Sequence, residues 1–326
     1  MKRLIAFLIA VFILVVLCSC ELSYQAPAVG TMRILVYGNS YNYGSTVYYN
    51  GEQLLINGQP ASARPLAKTV NDAIQVGLTL SALAEKAGLE HQAVYLTANQ
   101  DVTDARLVSE LETLANNPLA SENDITIIFY SGHGFGVETK LSYGSDTSTC
   151  SYLALRYSEQ PNSSVLFSVS DFLALVDSIK GIKIVIGDFC HSGSLVQSNY
   201  FSVTSGEYLQ MDAACLFAGY RDDICINPSL FCLSAARYNE LSYEIPDKDR
   251  YGNPLPNSPK HGYFTYALLE ALGWDEENQC LKAAKAEKDN RITLSQIAEY
   301  VTANDGKSEQ TPMVSGGSND IVLFSF

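Results

Sequence analysis

Cys190 and His133 are the residues of this chain whose types and surroundings point most directly to chemistry. Cys190 lies in Gly187-Asp188-Phe189-Cys190-His191-Ser192-Gly193, just after the apolar run Ile182 to Ile186. His133 lies in Ser131-Gly132-His133-Gly134, just after the apolar run Ile125 to Tyr130. A thiol attacks a carbonyl as the thiolate, and a neighbouring imidazole can take its proton. Glycines beside both residues let backbone N–H groups approach a developing oxyanion. Taken singly the signals are weak, since a buried Cys is commonly a small core residue. Together they describe two Gly-rich turns at the ends of two apolar strands, one holding a base and one a nucleophile. If the strands are neighbours, both side chains enter one crevice.

The other histidines fit this chemistry less well. His191 adjoins Cys190, and adjacent side chains on an extended turn diverge, so it is read as structural or solvent-facing. His261 has no acidic or thiol neighbour in sequence, and it and His91, which follows Glu90, are read as structural. A zinc site of Cys190, His191 and His133 would lack a fourth protein ligand, and no Cys-x-x-Cys pair exists. No metal site and no required cofactor are therefore expected.

The two turns need a scaffold. Arg33 to Gly38, Ala93 to Leu96, Asp124 to Tyr130, Ile182 to Gly187 and Ser229 to Ala235 read as strands apolar on both faces. Helices alternate with them. One opens at Pro65 and closes at Gly88, one starts at Asp101-Val-Thr-Asp104, and Ser170 caps a third. His261 to Leu272 forms a further helix stopped by Gly273, and Thr293-Leu-Ser-Gln296 is a capping box. Ile321 to Phe326 reads as a terminal strand. Residues 39–63 form a long loop with a hairpin at Asn57-Gly58. This alternation predicts an α/β fold, a three-layer α/β/α sandwich around a mostly parallel sheet, with ligands beyond the strands' carboxyl ends. Two irregular stretches, 194–225 and 244–260, interrupt it.

Composition sets the outer limits. The chain has 326 residues, 47% hydrophobic and 17% charged, which argues against disorder, collagen and a polytopic membrane protein. A net charge of −14 argues against nucleic acid as a partner, because phosphate neutralisation needs a basic face. Residues 1–19 combine a basic start, an apolar run and small residues, the pattern of an export signal. Leu17-Cys18-Ser19-Cys20 resembles a bacterial lipobox. That resemblance implies lipidation at Cys20, an exported protein anchored to the bacterial cell envelope through its N-terminal lipid, and a tether over 20–31. Cys150, Cys190, Cys215, Cys225, Cys232 and Cys280 remain, and Cys215 with Cys225, near each other in sequence, is the first disulfide pairing to check.

Tyr130-Ser-Gly-His133-Gly134 and Asp188-Phe-Cys190-His-Ser-Gly193 resemble the two active-site motifs of the caspase-like cysteine peptidases, in particular their metacaspase branch. Val70-Asn-Asp-Ala73, Leu233-Ser-Ala-Ala236, His261-Gly-Tyr-Phe-Thr265 and Gln310-Thr-Pro312 resemble further family motifs in the same order. The resemblance implies a caspase-like fold over 32–326, with a large part over about 32–205 and a small part over about 212–326. It implies a cysteine endopeptidase acting on peptide or protein substrates, His133 assisting proton transfer and Cys190 being acylated. It places the oxyanion hole at the amides of Gly134 and Cys190. Asp188 and Ser131 would line a pocket for a basic P1 side chain, and self-cleavage could follow Arg221, Lys248, Arg250 or Lys260.

One departure touches the pocket. After the Ser234 strand the metacaspase pattern is acidic, whereas this chain has Arg237-Tyr-Asn-Glu240. The second pocket carboxylate is then missing or displaced to Glu240, and Arg237 could neutralise the pocket. No Asp cluster matches a calcium site of the metacaspase kind, which leaves calcium dependence open. Rival readings are a catalytically idle caspase-like interaction module and a peptide ligase using the same dyad. The intact Cys190 and His133 count against the first. The second shares its acyl-enzyme with hydrolysis.

Overall fold

The computed structural model describes residues 30–42, 45–56, 58–98, 101–140, 147–198, 229–315 and 321–326. The export signal, Cys20, the tether up to residue 29, Cys215, Cys225 and Arg221 lie outside the described residues.

The strands that matter are β1 (Met32–Gly38), β2 (Ser45–Tyr49), β3 (His91–Leu96), β4 (Ile125–Ser131), β5 (Gly134–Lys140), β6 (Thr147–Arg156), β7 (Ser163–Ser168), β8 (Ile182–Asp188), β9 (Leu230–Ser234), β10 (Arg291–Thr293), β11 (Met313–Val314) and β12 (Val322–Ser325). The helices are α1 (Thr69–Lys86), α2 (Asp104–Ala115), α3 (Val169–Asp177), α4 (Gly193–Ser198), α5 (Tyr263–Leu272) and α6 (Leu294–Asn304). The central sheet runs β11-β9-β8-β4-β1-β3, parallel throughout except for the edge strand β11.

Period-two alternation along these strands feeds two cores. Ile34, Val36, Ile127, Phe129, Ile184 and Ile186 face α1, α5 and α6. Leu35, Tyr37, Ile128, Tyr130 and Val185 face α2, α3 and α4. Strands apolar on both faces thus sit between two helical layers, and the expected three-layer sandwich is what forms. Both faces being covered leaves the carboxyl edge as the open place for a site. Among the described residues, no helix is long and apolar enough to cross a membrane.

Several boundaries differ from the sequence reading. The first helix starts at Thr69, because Leu66 and Lys68 bond elsewhere: Leu66 N to Ser40 O at 2.8 Å and Lys68 Nζ to Pro259 O at 2.8 Å. Ser168 caps α3 in place of Ser170, taking bonds from the amides of Ser170 and Asp171. The α5 helix starts at Tyr263, after Gly262, leaving His261 outside it. The terminal strand β12 pairs with β10 in a separate small sheet. A second sheet built from β2, β5, β6 and β7 was not legible, since its strands are polar and rich in Ser, Thr and Gly. Leu55–Ile56 pairs antiparallel with Gln59–Pro60 on either side of the expected turn, of which Asn57 lies outside the described residues. The 244–260 stretch folds back on itself, with Lys248 bridged to Pro254.

Candidate active site

Register decides where the two motif turns meet. In the parallel ladder Asp188 lies opposite Ser131, and Ser131 lies opposite Gly38. Three carboxyl ends are therefore level. Gly132 N donates to Asp188 O at 3.3 Å, tying the two turns together. Beyond them lies a cavity of about 110 Å³ whose lining includes Asp72, Ser131, His133, Asp188, Cys190 and Ser242.

His133 is fixed through its backbone and its ring. Its amide donates to Tyr41 Oη at 2.9 Å, and the two rings lie 4.6 Å apart. Its Nε2 is 2.7 Å from Arg64 O. A carbonyl only accepts, so Nε2 carries hydrogen and Nδ1 of the neutral ring is the free acceptor. Burial holds the His133 imidazole below its ordinary range, although the Arg64 bond opposes this. Cys190 is half-buried, with Sγ 3.7 Å from Ser242 O. Burial pushes its thiol up, and the Asp188 charge adds to that. At rest the two groups are a thiol and a neutral imidazole.

Gly134 has a steric role here. A Cβ at this position would lie 2.0 Å from Cys190 O, so only glycine lets β5 start against the Cys190 backbone. Likewise a Cβ on Gly262 would lie 2.5 Å from Asp188 Oδ2.

Asp188 is buried and braced. Thr265 Oγ1 donates to its Oδ2 at 2.6 Å, and Ser242 Oγ donates to its Oδ1. Burial first, and then the charge of Asp72, raise its pKa to about 6. Asp72, on α1, takes the Ser131 hydroxyl at 3.1 Å and the Gly262 amide at 3.3 Å. His261 Nδ1 lies 2.8 Å from Asp72 Oδ1, the oxygen that also takes the Gly262 amide.

The structure corrects several expectations. His261 is not without acidic neighbours; it bridges Asp72 and Glu276, residues distant in sequence. The further carboxylates at the cavity are Asp72 and Glu244, the latter accepting from Lys68 N at 2.7 Å, and Glu240 is not displaced into it. Glu240 instead accepts from Thr311 N at 2.8 Å and holds the 310–312 loop. Arg237 pairs with Glu240 at 3.7 Å and is largely exposed, so it does not neutralise the cavity. His191 adopts φ +65° rather than an extended turn, and its Nδ1 lies 2.8 Å from Tyr238 O. His91 sits at the opposite, amino end of the sheet, near Glu85. Cys190, Cys232 and Cys280 are free thiols. Among the described residues, no group of three or more His, Cys, Asp or Glu is arranged to hold a metal ion.

The cavity lining thus brings together His133, Cys190, Asp188 and Ser131, all anticipated from sequence, and Gly134 packs against the Cys190 backbone. Tyr41, Ser242 and Thr265 were not anticipated, and neither was a role for Asp72. For Asp72 and Thr265 the only available signal was their place in the Asn-Asp-Ala and Gly-Tyr-Phe-Thr motifs.

The sequence profile of the caspase domain matches residues 53–320. No curated protein matches the chain. Among solved structures, a protein from Geobacter sulfurreducens is similar at 17% identity, covering 88% of this chain and 94% of its own, with a TM-score of 0.45. Caspase-1 from Spodoptera frugiperda is similar at 11% identity, covering 91% and 90%, with a TM-score of 0.44. Raptor from Chaetomium thermophilum is similar at 14% identity, covering 74% of this chain and 17% of its own, with a TM-score of 0.35.

Proposed function

The chain belongs to the caspase domain family, whose activity is that of cysteine peptidases, and from that premise we propose that this member is an endopeptidase working through Cys190 and His133 and cleaving after Arg or Lys. The observation that carries the reading is the shared cavity: thiol, imidazole and the carboxylates of Asp72, Asp188 and Glu244 line one space at level strand ends. Nδ1 of His133 takes the Cys190 proton as Sγ attacks the scissile carbonyl. The amides of Gly134 and Cys190 stabilise the oxyanion. The tetrahedral species collapses, the leaving amine takes the proton from His133, and water then hydrolyses the thioester.

Specificity rests on the carboxylates. Asp188 is the charge that meets a cationic P1 side chain, with Ser131 and Asp72 lining the same space. Above pH 6 Asp188 is mostly ionised and ready for that role.

The same proposal includes export and attachment to the cell envelope through a lipid on Cys20, supported by the 1–20 pattern. Cys20→Ser is expected to release the protein from membranes or to block processing. Unchanged partitioning and mass would remove the lipid. For the activity, the purified protein is assayed with fluorogenic peptides carrying P1 Arg, Lys or Asp. Turnover of the Arg and Lys peptides, lost in Cys190→Ala, is the expected result. Equal cleavage after Asp and Arg would sink the specificity, and no cleavage of any peptide would sink the peptidase reading.

A further inference from the structure

Behind the carboxylates lies a second cavity, of about 420 Å³, whose lining includes His261, Tyr266, Trp274, Glu276, Lys282 and Lys285. His261 lines it and reaches the crevice through Asp72. The imidazole is 2% exposed and is gripped at both nitrogens: Nδ1 lies 2.8 Å from Asp72 Oδ1 on the crevice side. Nε2 lies 2.9 Å from Glu276 Oε2 on the outer side. An ionised carboxylate only accepts, and a neutral imidazole has one N–H to give. Both contacts at once require a doubly protonated ring, or one proton resting on a carboxyl. Either way the Asp72–His261–Glu276 chain holds one proton more than a neutral histidine between two carboxylates would.

The neighbours agree with an imidazolium. Burial works against it, yet the hydrogen bonds and charges of Asp72 and Glu276 lift His261 above its ordinary range. Asp72 and Asn71 face this group from α1, and Asn71 Nδ2 donates to Glu276 Oε1 at 2.9 Å. Tyr266 stacks on the ring from α5 at 6.5 Å. Lys260 acts on Glu276. Glu270 and Lys285 lie farther round the outer cavity, and Asp275 is paired with Lys282. Glu276 is partly exposed in that cavity, so the chain can exchange its proton with solvent without opening the crevice.

We propose that His261 is a specificity-setting positioning residue: clamped between Asp72 and Glu276, its imidazolium cancels the Asp72 charge, leaving Asp188 free to ionise and meet a cation in the crevice. The proposal rests on reading that crevice as the P1 pocket. Two buried carboxylates that face each other without a counter-charge do not both ionise; one takes up a proton. Removing the imidazolium therefore leaves Asp72 and Asp188, both pushed up by burial, to share one proton near neutral pH, so that Asp188 is charged only part of the time. It also makes the crevice more negative at high pH, once both carboxylates have ionised.

These two effects have opposite signs, and they give the test its signature. Benzamidine, a cationic mimic of an arginine side chain, is titrated calorimetrically into the full protein from pH 5.5 to 8.5. Wild type, His261→Gln and Glu276→Gln are compared. For His261→Gln the midpoint of binding against pH is expected to move up by about one unit, weakening binding about threefold at pH 6.5 and not weakening it at pH 8.5. Glu276→Gln, at a partly exposed side chain that the fold tolerates, is expected to shift it in the same direction by less. Uniform weakening at every pH would make His261 merely structural, and an unmoved midpoint in both variants would overturn the proposal. Absence of benzamidine binding by the wild type would overturn it as well. Peptide hydrolysis is scored separately: a protein that binds benzamidine with this signature but cleaves nothing fails as a peptidase and keeps the His261 assignment.

Discussion

On one wall of the crevice, Cys190 and His133 touch the carbonyls of Ser242 and Arg64. On the other, Asp72 and Asp188 take bonds from Ser131, Ser242, Thr265 and His261 side chains. The thiol wall has neutral backbone partners, and burial keeps the proton on sulfur at rest. The carboxylate wall is walled off from water, and a buried charge survives there only with several donors around it. The thiol wall comes from two short contiguous motifs. The carboxylate wall is assembled from α1, β4, β8, the 242–244 loop and α5. On the proposed function, reactivity and selectivity are built by different means a few residues apart, and substitutions should separate them.

The largest break is expected at the thiol wall. Cys190→Ala or His133→Ala should each lower kcat/KM by at least about a thousandfold, and the double variant should be little worse, because groups acting as a unit are non-additive. Wild-type turnover in Cys190→Ala would show that another group is the nucleophile.

Asp188→Asn should break the other wall alone. A partly desolvated Arg–carboxylate bond is worth roughly 1.5–3 kcal/mol, so P1 Arg substrates should lose about ten- to a hundredfold in kcat/KM. Alkylation of Cys190 by iodoacetamide should be spared. If both fall together, Asp188 only braces the turn. The same carboxyl leaves a mark on stability. Its folded pKa of about 6 is above the ordinary 3.8, so its neutral form is the one folding favours. The stabilising contribution is complete below about pH 4 and is lost as pH rises through 6. Full loss amounts to roughly 3 kcal/mol. Urea midpoints at pH 4 and 7 should differ less in Asp188→Asn than in wild type, and an equal difference would show that the buried charge costs nothing.

Gly134→Ala tests the contact between the walls' supporting strands. The added methyl would overlap Cys190 O, and the strain should cost about 1–3 kcal/mol of stability and displace the nucleophile. Thermal unfolding and kcat are read together, and a variant unchanged in both would mean that β5 shifts freely.

What the sequence discloses follows the same division. The strands β1, β4 and β8 are legible because burial on both faces leaves continuous apolar runs such as Ile125 to Tyr130. Cys190 and His133 are legible because each sits in a glycine-rich turn at such a run's end. The pairing of His261 with Asp72 crosses 189 residues, and nothing local to either signals the other. The antiparallel β5, β6 and β7 are hidden for a different reason. Their polar and small residues carry little periodic apolar signal, although Leu153 and Leu155 are fully buried. Helix starts were misplaced where tertiary bonds overrode local chemistry, as Lys68 reaching Pro259 O does before α1.

The smallest expected effect sharpens the contrast most. Tyr41 is buried; its hydroxyl accepts from His133 N at 2.9 Å and donates to Ala154 O at 2.5 Å. Tyr41→Phe removes the acceptor of the His133 amide. Ala154 O keeps the Tyr130 hydroxyl, which lies 3.1 Å away, so the loss falls mainly on His133. One unsatisfied amide costs about 1 kcal/mol, and a matching misplacement of the imidazole lowers kcat about fivefold. KM for a P1 Arg peptide should not move, because no carboxylate partner is touched. Ser242→Ala is the mirror experiment. It keeps the carbonyl that receives Cys190 Sγ and removes the hydroxyl bonded to Asp188. KM for P1 Arg should rise a few-fold, about what one hydrogen bond to a charged group allows, with kcat kept. If Tyr41→Phe moves KM and Ser242→Ala moves kcat, the two walls do not divide the labour, and selectivity and reactivity share one network.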